Sequence, residues 1–551
     1  MDLVSNASKW TQGENLRPPS GWVSVLIIGA GPTGLLLAAE LHRRGVQCHL
    51  IDAQPAPLHW DRATVVHPRS LQIFEAIGQV EELLAVGCKQ RVIAIHSGGK
   101  SLGRIDLSIC GSVYGFNLGV SEEVTESILA EYLRCHGGHV NRSCRLVDLT
   151  PHPDGVVAEI DRNSERYQIG AHWVVGSDGI HSAVRELSGI GFEGHKLARQ
   201  WAVFDATVEG WTDTHEGIFV YQDMLPVILT PLPGKRWRVY LRPSSPESDL
   251  VNDAATTLGI YAPSASFTHL QNPARFNCYT EVATQFRAGR VFLAGDSAHL
   301  SSPAEGHGMN TGIQDAFNLA WKLALVHGGF AHPRLLDSYQ AERRPIAEMI
   351  AQSGDVFEHA QMLTEPAERN LRDQATRELL SHPKDLHQHV MAETELVIDY
   401  SHSPIVAGYP CSGLAAGYRL PDNITVTWPD KTQCALHRLA HRAGHTLMLL
   451  AGPGADTSVL VDLHAALQEV ARDSPLFAET FAIAACADVT KLGRIDRSVF
   501  EQLGIDGITL LAIRPDGYVG LRSDQDQLQA LQHYRTLICQ GNLAAHGAVS
   551  G

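Results

Sequence analysis

Six residues constrain this chain more than any other segment: Gly29-Ala30-Gly31-Pro32-Thr33-Gly34. They follow an apolar run at 23–28 of the kind that forms a buried parallel strand. They open an apolar stretch at 35–44 that reads as a helix stopped by Gly45. A second strand at 48–52 then completes a βαβ unit. In such a turn the first glycine permits the sharp bend, the second lets the backbone approach a pyrophosphate, and the third packs helix on strand. The helix start, from Pro32 and Thr33, turns its free N–H groups and positive dipole end towards the phosphates. Asp52, 18 residues after Gly34, ends the second strand, where a carboxylate reaches ribose hydroxyls. The unit specifies a dinucleotide without saying which.

The run 23–41 is apolar enough to imitate a membrane span, but its glycines, Pro32 and Glu40 fit a strand and helix better, so no membrane insertion is expected. Residues 1–21 are a polar extension without the order of a signal peptide. The ten cysteines form no CxxC pair and are scattered, which suits a cytoplasmic protein. A formal charge of −16 argues against nucleic acid, which is held by Lys and Arg. At 551 residues the chain should form two or three domains.

Further elements follow from periodicity. Leu71, Phe74 and Ile77 mark a helix ending at Gly78, with another helix at 126–133 and a buried strand at 173–176. From 201 to 279 the texture is β; in 236–242, Trp237, Val239 and Leu241 alternate with Arg238, Tyr240 and Arg242, the period of a half-buried strand. A buried strand at 291–294 precedes a helix at 310–325 with Asn310 as its N-cap. A helical stretch at 369–393 contains His382, His387 and His389, read as a solvated face rather than a metal site. Residues 402–421 look like a linker, followed by strand, helix, strand and helix at 446–450, 459–471, 508–514 and 525–537.

Three more segments carry chemistry. Gly295-Asp296 follows the strand at 291–294, placing a carboxylate where it can hold a polyol. Pro303-Ala304-Glu305-Gly306-His307-Gly308-Met309-Asn310 offers glycines that let backbone lie against a flat ring, and a helix dipole worth up to about 2 kcal/mol when partly buried. Ser177-Asp178-Gly179 precedes Ser182, Val184 and Arg185; alone it reads as a strand–turn–helix.

In this order, the glycine turn, Asp52 with Arg62-Ala63, SDGxxSxVR and GDSAHxxxPxxGxGMNxGxxDAxNLAWKL resemble the class A flavoprotein aromatic hydroxylases, relatives of para-hydroxybenzoate hydroxylase and phenol hydroxylase, over about residues 22 to 350. The remainder, including Ile513-Arg514-Pro515-Asp516-Gly517, resembles the thioredoxin-like domain of the longer members. The resemblance implies an α/β chain: a Rossmann-like FAD-binding domain from 22–195 and 280–400, an inserted β-sheet substrate domain at 196–279, and a thioredoxin-like α/β domain at 401–551. The last lacks CxxC and reads as a packing or oligomerisation module, with a homodimer left open.

The resemblance further implies FAD, with NADPH or NADH as transient reductant, O₂, and a small phenolic or polycyclic aromatic substrate hydroxylated by oxygen activated at flavin C4a. It assigns to the cofactor Gly29, Gly31, Pro32, Thr33, Gly34, Asp52, Ala53, Arg62, Glu122, Asp178, Gly179, Gly295, Asp296, Pro303, Gly308, Met309 and Asn310. Asp178 and Gly179 would serve both FAD and nicotinamide. One acid–base group should face the flavin, the candidates being Tyr221, Tyr240, Arg242, His307 and Glu305. Epoxidation, Baeyer–Villiger oxidation and a non-catalytic FAD module are the alternatives. The chain departs from the family at Glu305-Gly306-His307-Gly308, where Gly-Gly-Gln-Gly is usual, so a left-handed backbone at Glu305 would be strained. Glu122 stands where the family usually has Gln.

Overall fold

A computed structural model describes residues 22–57, 63–211, 214–408, 411–472, 474–485 and 492–540. The chain divides into two compact units. The first comprises residues up to 39, 48–316 and 346–397; the second comprises 40–47, 317–345 and 398 onward. The second unit thus joins segments from much earlier in the chain to the residues from 398 onward.

At the centre of the first unit, Trp22–Ile28 lies parallel to both Cys48–Ile51 and Glu165–Gly176, and the last three residues of Glu165–Gly176 lie parallel to Val291–Leu293. The register pairs Ile28 with Ile51 and Gly176, and Gly176 with Leu293. All four strands therefore end at one edge. The residues that leave that edge are Gly29, Asp52, Ser177 and Ala294, so four separated motifs meet at the carboxyl ends of parallel strands, where α/β sheets bind ligands. Towards that edge the strands are apolar and buried, at 25–28, 50–51, 173–176 and 291–293, because both faces are covered there. Pro32–Arg43 follows the glycine turn directly.

The second sheet of this unit has seven strands, in the order Ser266–Phe276, Trp201–Glu209, Arg236–Leu241, Val227–Leu232, Gly217–Tyr221, Val92–Ser97 and Lys100–Asp106. The last two come from far upstream, so the β-rich region is larger than 196–279. One face packs Trp201, Val220, Ile228 and Tyr240 against Val390 and Leu396; the other packs Phe219, Tyr221, Trp237 and Val239 against Ala254 and Leu258. The strand Arg236–Leu241 alternates as expected but is buried on both faces rather than half-buried.

Other boundaries shift for local reasons. The helix expected at 310–325 is His307–His327, and the one expected at 126–133 is Glu122–Cys135. The stretch 369–393 is two helices, Pro366–Ser381 and Pro383–Glu393, separated at His382 because Pro383 disfavours helical backbone before it.

In the second unit a seven-stranded sheet contains parallel strands His445–Ala451 and Phe477–Ala484, linked by the helix Thr457–Arg472. Ile508–Ile513 lies antiparallel to His445–Ala451 and to Val519–Ser523, and Gln527–Gln540 follows. The segment expected as a linker is packed: Ile405, Leu414 and Leu420 are buried, and Ala407 and Arg419 bridge to Leu521 and Tyr518. Beneath it, Lys322, Glu342, Arg514 and Asp516 form a buried, charge-balanced network. Among the described residues no helix is long and apolar enough to cross a membrane.

Candidate cofactor and substrate site

The glycines at the strand edge divide into two kinds. Gly29 has φ +100°, and a Cβ there would stand 2.1 Å from the Ser177 carbonyl oxygen. A Cβ on Gly34 would stand 2.0 Å from the Gly29 oxygen. A Cβ on Gly295 or Gly312 would stand 2.7 or 2.4 Å from Thr33 Oγ1. These four hold the turn, the Gly295–Ser297 segment and the long helix His307–His327 together. Gly31 and Gly308 differ: neither has a positive φ, a Cβ on Gly31 would meet only Glu126 Oε1 at 3.7 Å, and one on Gly308 would meet nothing within 4 Å. Both positions leave backbone bare beside open space, as close approach of a pyrophosphate and a flat ring requires. The cradle fits a dinucleotide.

Asp52 stands at its mouth. Its carboxylate accepts from Ala30 N at 2.8 Å and Gln54 N at 2.7 Å, with Arg142 at 3.6 Å. Ala53 beside it is exposed. Arg62 lies outside the described residues. Glu122 opens its helix, and Glu126, one turn on, is the residue nearest Gly31.

Asp178 is committed to local structure: it accepts from Ser182 Oγ at 2.5 Å, Ser297 Oγ at 2.9 Å and Val184 N at 3.2 Å. Gly179 N donates to Ser297 Oγ at 3.1 Å. These bonds tie the SDG turn to the Gly295–Ser297 segment, in which Asp296 is exposed. A pair without a motif signal of its own anchors the segment: Asp315 Oδ2 accepts from Gly295 N at 3.0 Å and lies 2.7 Å from His299 Nε2.

Pro303 and Glu305 bound a single 3₁₀ turn, and the left-handed residue is Gly306 (φ 73°), so the strain expected at Glu305 does not arise. Asn310 is not an N-cap, because the helix has already begun at His307. Its buried side chain is a strap instead: Oδ1 accepts from His67 N at 2.9 Å, and Nδ2 donates to Val65 O and Gly306 O at 2.9 and 2.8 Å. Met309 lies in the same first turn, half-buried.

The acid–base candidates separate. Tyr240 and Arg242 share the sheet face nearer Val390, with the Tyr240 hydroxyl 3.0 Å from Thr64 Oγ1. Tyr221 is on the opposite face, against Tyr261 and His96. Arg242 lies over the Trp201 ring and pairs with Glu358, which also accepts from Trp201 Nε1 at 2.8 Å and from Ser302. Glu358 thus links the sheet to the residue preceding Pro303, a role no sequence motif signalled.

His307 sits in a separate buried cluster, with half-buried Glu305 at its edge. His307 Nδ1 is 2.9 Å from Glu395 Oε1, and Gln314 Nε2 donates to Glu395 Oε2 at 2.5 Å. The His67 ring lies 4.9 Å from that of His307, with Nδ1 near Asn117 Oδ1 and Nε2 near the Glu305 carbonyl. A neutral His67 that donates its Nε2–H to the Glu305 carbonyl must accept at Nδ1, so the Asn117 amide is better placed with Nδ2 donating there. Glu305 Oε1 accepts from Ser353 Oγ at 3.1 Å. Burial would lower His307, but the hydrogen bond and charge of Glu395, then Glu305 and Glu393, lift it to about 9. Burial, opposed by Glu395, takes His67 down to about 4.

Glu305, His307 and Glu393 bring ligand atoms within 4.8 Å of one another, a spacing a cation could span. A protonated imidazole already bonded to Glu395 opposes that use. His389 is half-buried, whereas His382 and His387 stay exposed and bond to the Glu378 and Ile109 carbonyls.

Comparison with known proteins adds the following. The family described as "FAD binding domain" matches residues 22–353. The chain is 35% identical to 6-methylpretetramide 4-monooxygenase of Streptomyces rimosus, over 61% of this chain and 62% of that protein. It is 32% identical to pentachlorophenol 4-monooxygenase of Sphingobium chlorophenolicum, over 61% of this chain and 64% of that one. Both alignments span less than two thirds of the relative. Among solved structures, an anhydrotetracycline hydroxylase from Streptomyces rimosus superposes with TM-score 0.73 at 26% identity, covering 93% of this chain and 99% of that one.

Proposed function

We infer the function from one premise: the chain belongs to the FAD binding domain family. The reading that follows is an FAD-dependent monooxygenase that uses NADPH or NADH and O₂ to hydroxylate a phenolic or polycyclic aromatic compound. The observation that carries it is the meeting of Gly31, Asp52, Gly295 and Gly308 around one strand edge, in the same unit as a sheet face bearing Tyr240 and Arg242. Relatives named for pentachlorophenol, 6-methylpretetramide and anhydrotetracycline support an aromatic acceptor.

When bound, the flavin would accept a hydride from the nicotinamide and activate oxygen; the protein orients, desolvates and charges the site. Bare backbone at Gly31 and the helix start at Pro32–Thr33 would take the pyrophosphate, Asp52 a ribose hydroxyl and Asp296 a ribityl hydroxyl. Gly179, with Asp178 fixing its turn, would give the nicotinamide a bare surface. Gly308 and Met309 would face the ring, with Asn310 and Pro303 shaping that turn. The substrate lies against the apolar sheet face, its phenolic oxygen orienting towards Tyr240 or Arg242. The strand–helix–strand and hairpin–helix order at 445–540 supports a thioredoxin-like module that serves packing or assembly as a homodimer. A cytoplasmic location completes the reading.

The test is direct. The purified protein should be yellow, and phenols, salicylates or polyketide-like quinols should stimulate its oxidation of NADPH or NADH. A protein that cannot be loaded with FAD overturns the reading.

A further inference from the structure

Gln361 is 3% exposed, yet neither its Oε1 nor its Nε2 has a hydrogen-bond partner among the described residues. A buried donor and acceptor left unmade are costly, and protein interiors keep few of them. Its place on the helix Asp337–Met362 says where the amide points. Phe357 and Glu358, four and three residues earlier, share its helix face. Phe357 packs on the sheet cluster that contains Tyr240 and Val220, while Glu358 bonds Trp201 and pairs with Arg242. Gln361 is therefore on the side of the helix turned to the sheet face of Tyr240. Arg372 ties the neighbouring backbone to the same sheet: Nη1 donates to Ala360 O at 3.2 Å, and Nη2 donates to Gln222 O at 3.0 Å and Ser97 Oγ at 2.9 Å.

Gln222 supplies a second open acceptor. It follows Ile218 and Val220 at the two-residue spacing of that face, and its N–H continues the ladder to His96 O at 2.8 Å. It is 6% exposed, and its Oε1 has no partner among the described residues. Tyr240 pairs with Ile228, and Ile228 with Val220. Val220 and Gln222 thus stand two strands, about 10 Å, from Tyr240 across the sheet.

We propose that Gln361 is a specificity-determining residue that binds a carboxamide on the substrate, at the end remote from the phenolic oxygen. The inference rests on the monooxygenase reading above. A primary carboxamide complements the groups that are open: Gln361 Nε2 donates to its carbonyl, Gln361 Oε1 accepts one of its N–H groups, and Gln222 Oε1 accepts the other. A carboxylate offers acceptors only and would leave both glutamine oxygens unpaired. A ketone satisfies Nε2 alone. With the phenolic oxygen at Tyr240 or Arg242, the separation across the sheet suits a fused aromatic frame rather than a single ring.

The experiment uses the full-length, FAD-loaded protein and three matched probes: 6-hydroxynaphthalene-2-carboxamide, the corresponding carboxylate and the corresponding methyl ketone. Dissociation constants come from the change in flavin absorbance on titration, and oxidation of NADPH or NADH is followed with each probe. Wild type should bind the carboxamide more tightly than either analogue by about fivefold to about 150-fold, equivalent to the cost of about 1–3 kcal/mol for a buried group left unpaired. Gln361→Met should abolish that preference, raising KM for the carboxamide towards that of the ketone with kcat little changed, because the amide acts in binding. The same variant should melt no earlier than wild type, since it removes two unpaired buried groups. A glutamine that only holds the fold together would give an earlier melt. The proposal is overturned if wild type binds the carboxamide no better than the ketone, or not at all. It is overturned equally if Gln361→Met keeps the preference or melts earlier. Equal binding and stimulation by all three probes overturns the proposal and leaves the monooxygenase reading standing. A wild type that cannot be loaded with FAD overturns that reading, and the proposal with it.

Discussion

The two kinds of glycine in the cradle make opposite predictions for the same substitution. At Gly31 the backbone is not left-handed, and a methyl would have one neighbour at 3.7 Å, so Gly31→Ala should leave the apoprotein intact or raise its stability by about 0.4–1 kcal/mol through the unfolded chain. The methyl fills the face left open for the pyrophosphate. Overpacking costs typically about 1–3 kcal/mol, which weakens FAD binding by about fivefold to about 150-fold. At Gly29 a methyl meets the Ser177 carbonyl oxygen at 2.1 Å and φ is +100°. Gly29→Ala should therefore destabilise the apoprotein, by about 1–2 kcal/mol from backbone strain alone, and lose FAD as a consequence. Thermal unfolding of the apoproteins and FAD titration followed by flavin fluorescence separate the two effects. Gly31→Ala binding FAD as tightly as wild type would refute the assignment of that open face, and so would Gly31→Ala unfolding earlier than Gly29→Ala.

In the second unit, Glu342 accepts from Ser403 at 2.6 Å, Asn318 and Lys322 at 2.7 Å, and Arg514 twice at 2.8 Å. Glu342→Ala strands two buried cations and should cost about 3–5 kcal/mol in urea unfolding; a loss under 1 kcal/mol contradicts the network's role. His307 titrates in the folded protein at about 9 against an ordinary 6.5. Its contribution is therefore complete below pH 6.5 and lost as pH rises through 9, amounting to at most about 3 kcal/mol. The stability difference between wild type and His307→Gln should shrink over that window, and a pH-independent difference would contradict it. Glu40, buried against Arg44 and Arg43 and lowered to about 2, has the opposite sign. Its contribution is present above about 4.5 and lost as pH falls towards 2, so Glu40→Gln should flatten the acid limb of the urea midpoint.

What the sequence discloses depends on how local the causes are. The turn at Gly29–Gly34 is legible because strand, bend, helix start and the acid ending the next strand lie within 30 residues. Asn310 misleads because its partners are Val65 and His67, and the true start of the helix is set by left-handed Gly306, four residues before the apparent cap. Val92–Ser97 and Lys100–Asp106 read as nothing in particular until they pair at the edge of a sheet built mostly from 201–276. Glu358 and Glu395 carry no motif, since a lone buried carboxylate acquires meaning only from Arg242 or His307, more than 80 residues away.

Under the proposed function, one atom of O₂ enters an aromatic substrate on this protein. For any panel compound that stimulates NADPH or NADH oxidation, turnover under ¹⁸O₂ in ordinary water should give a product heavier by one ¹⁸O atom, and turnover in H₂¹⁸O under ordinary oxygen should leave the new oxygen unlabelled. Label entering from water, or nicotinamide oxidation that yields only peroxide with every stimulating compound, would rule out a monooxygenase.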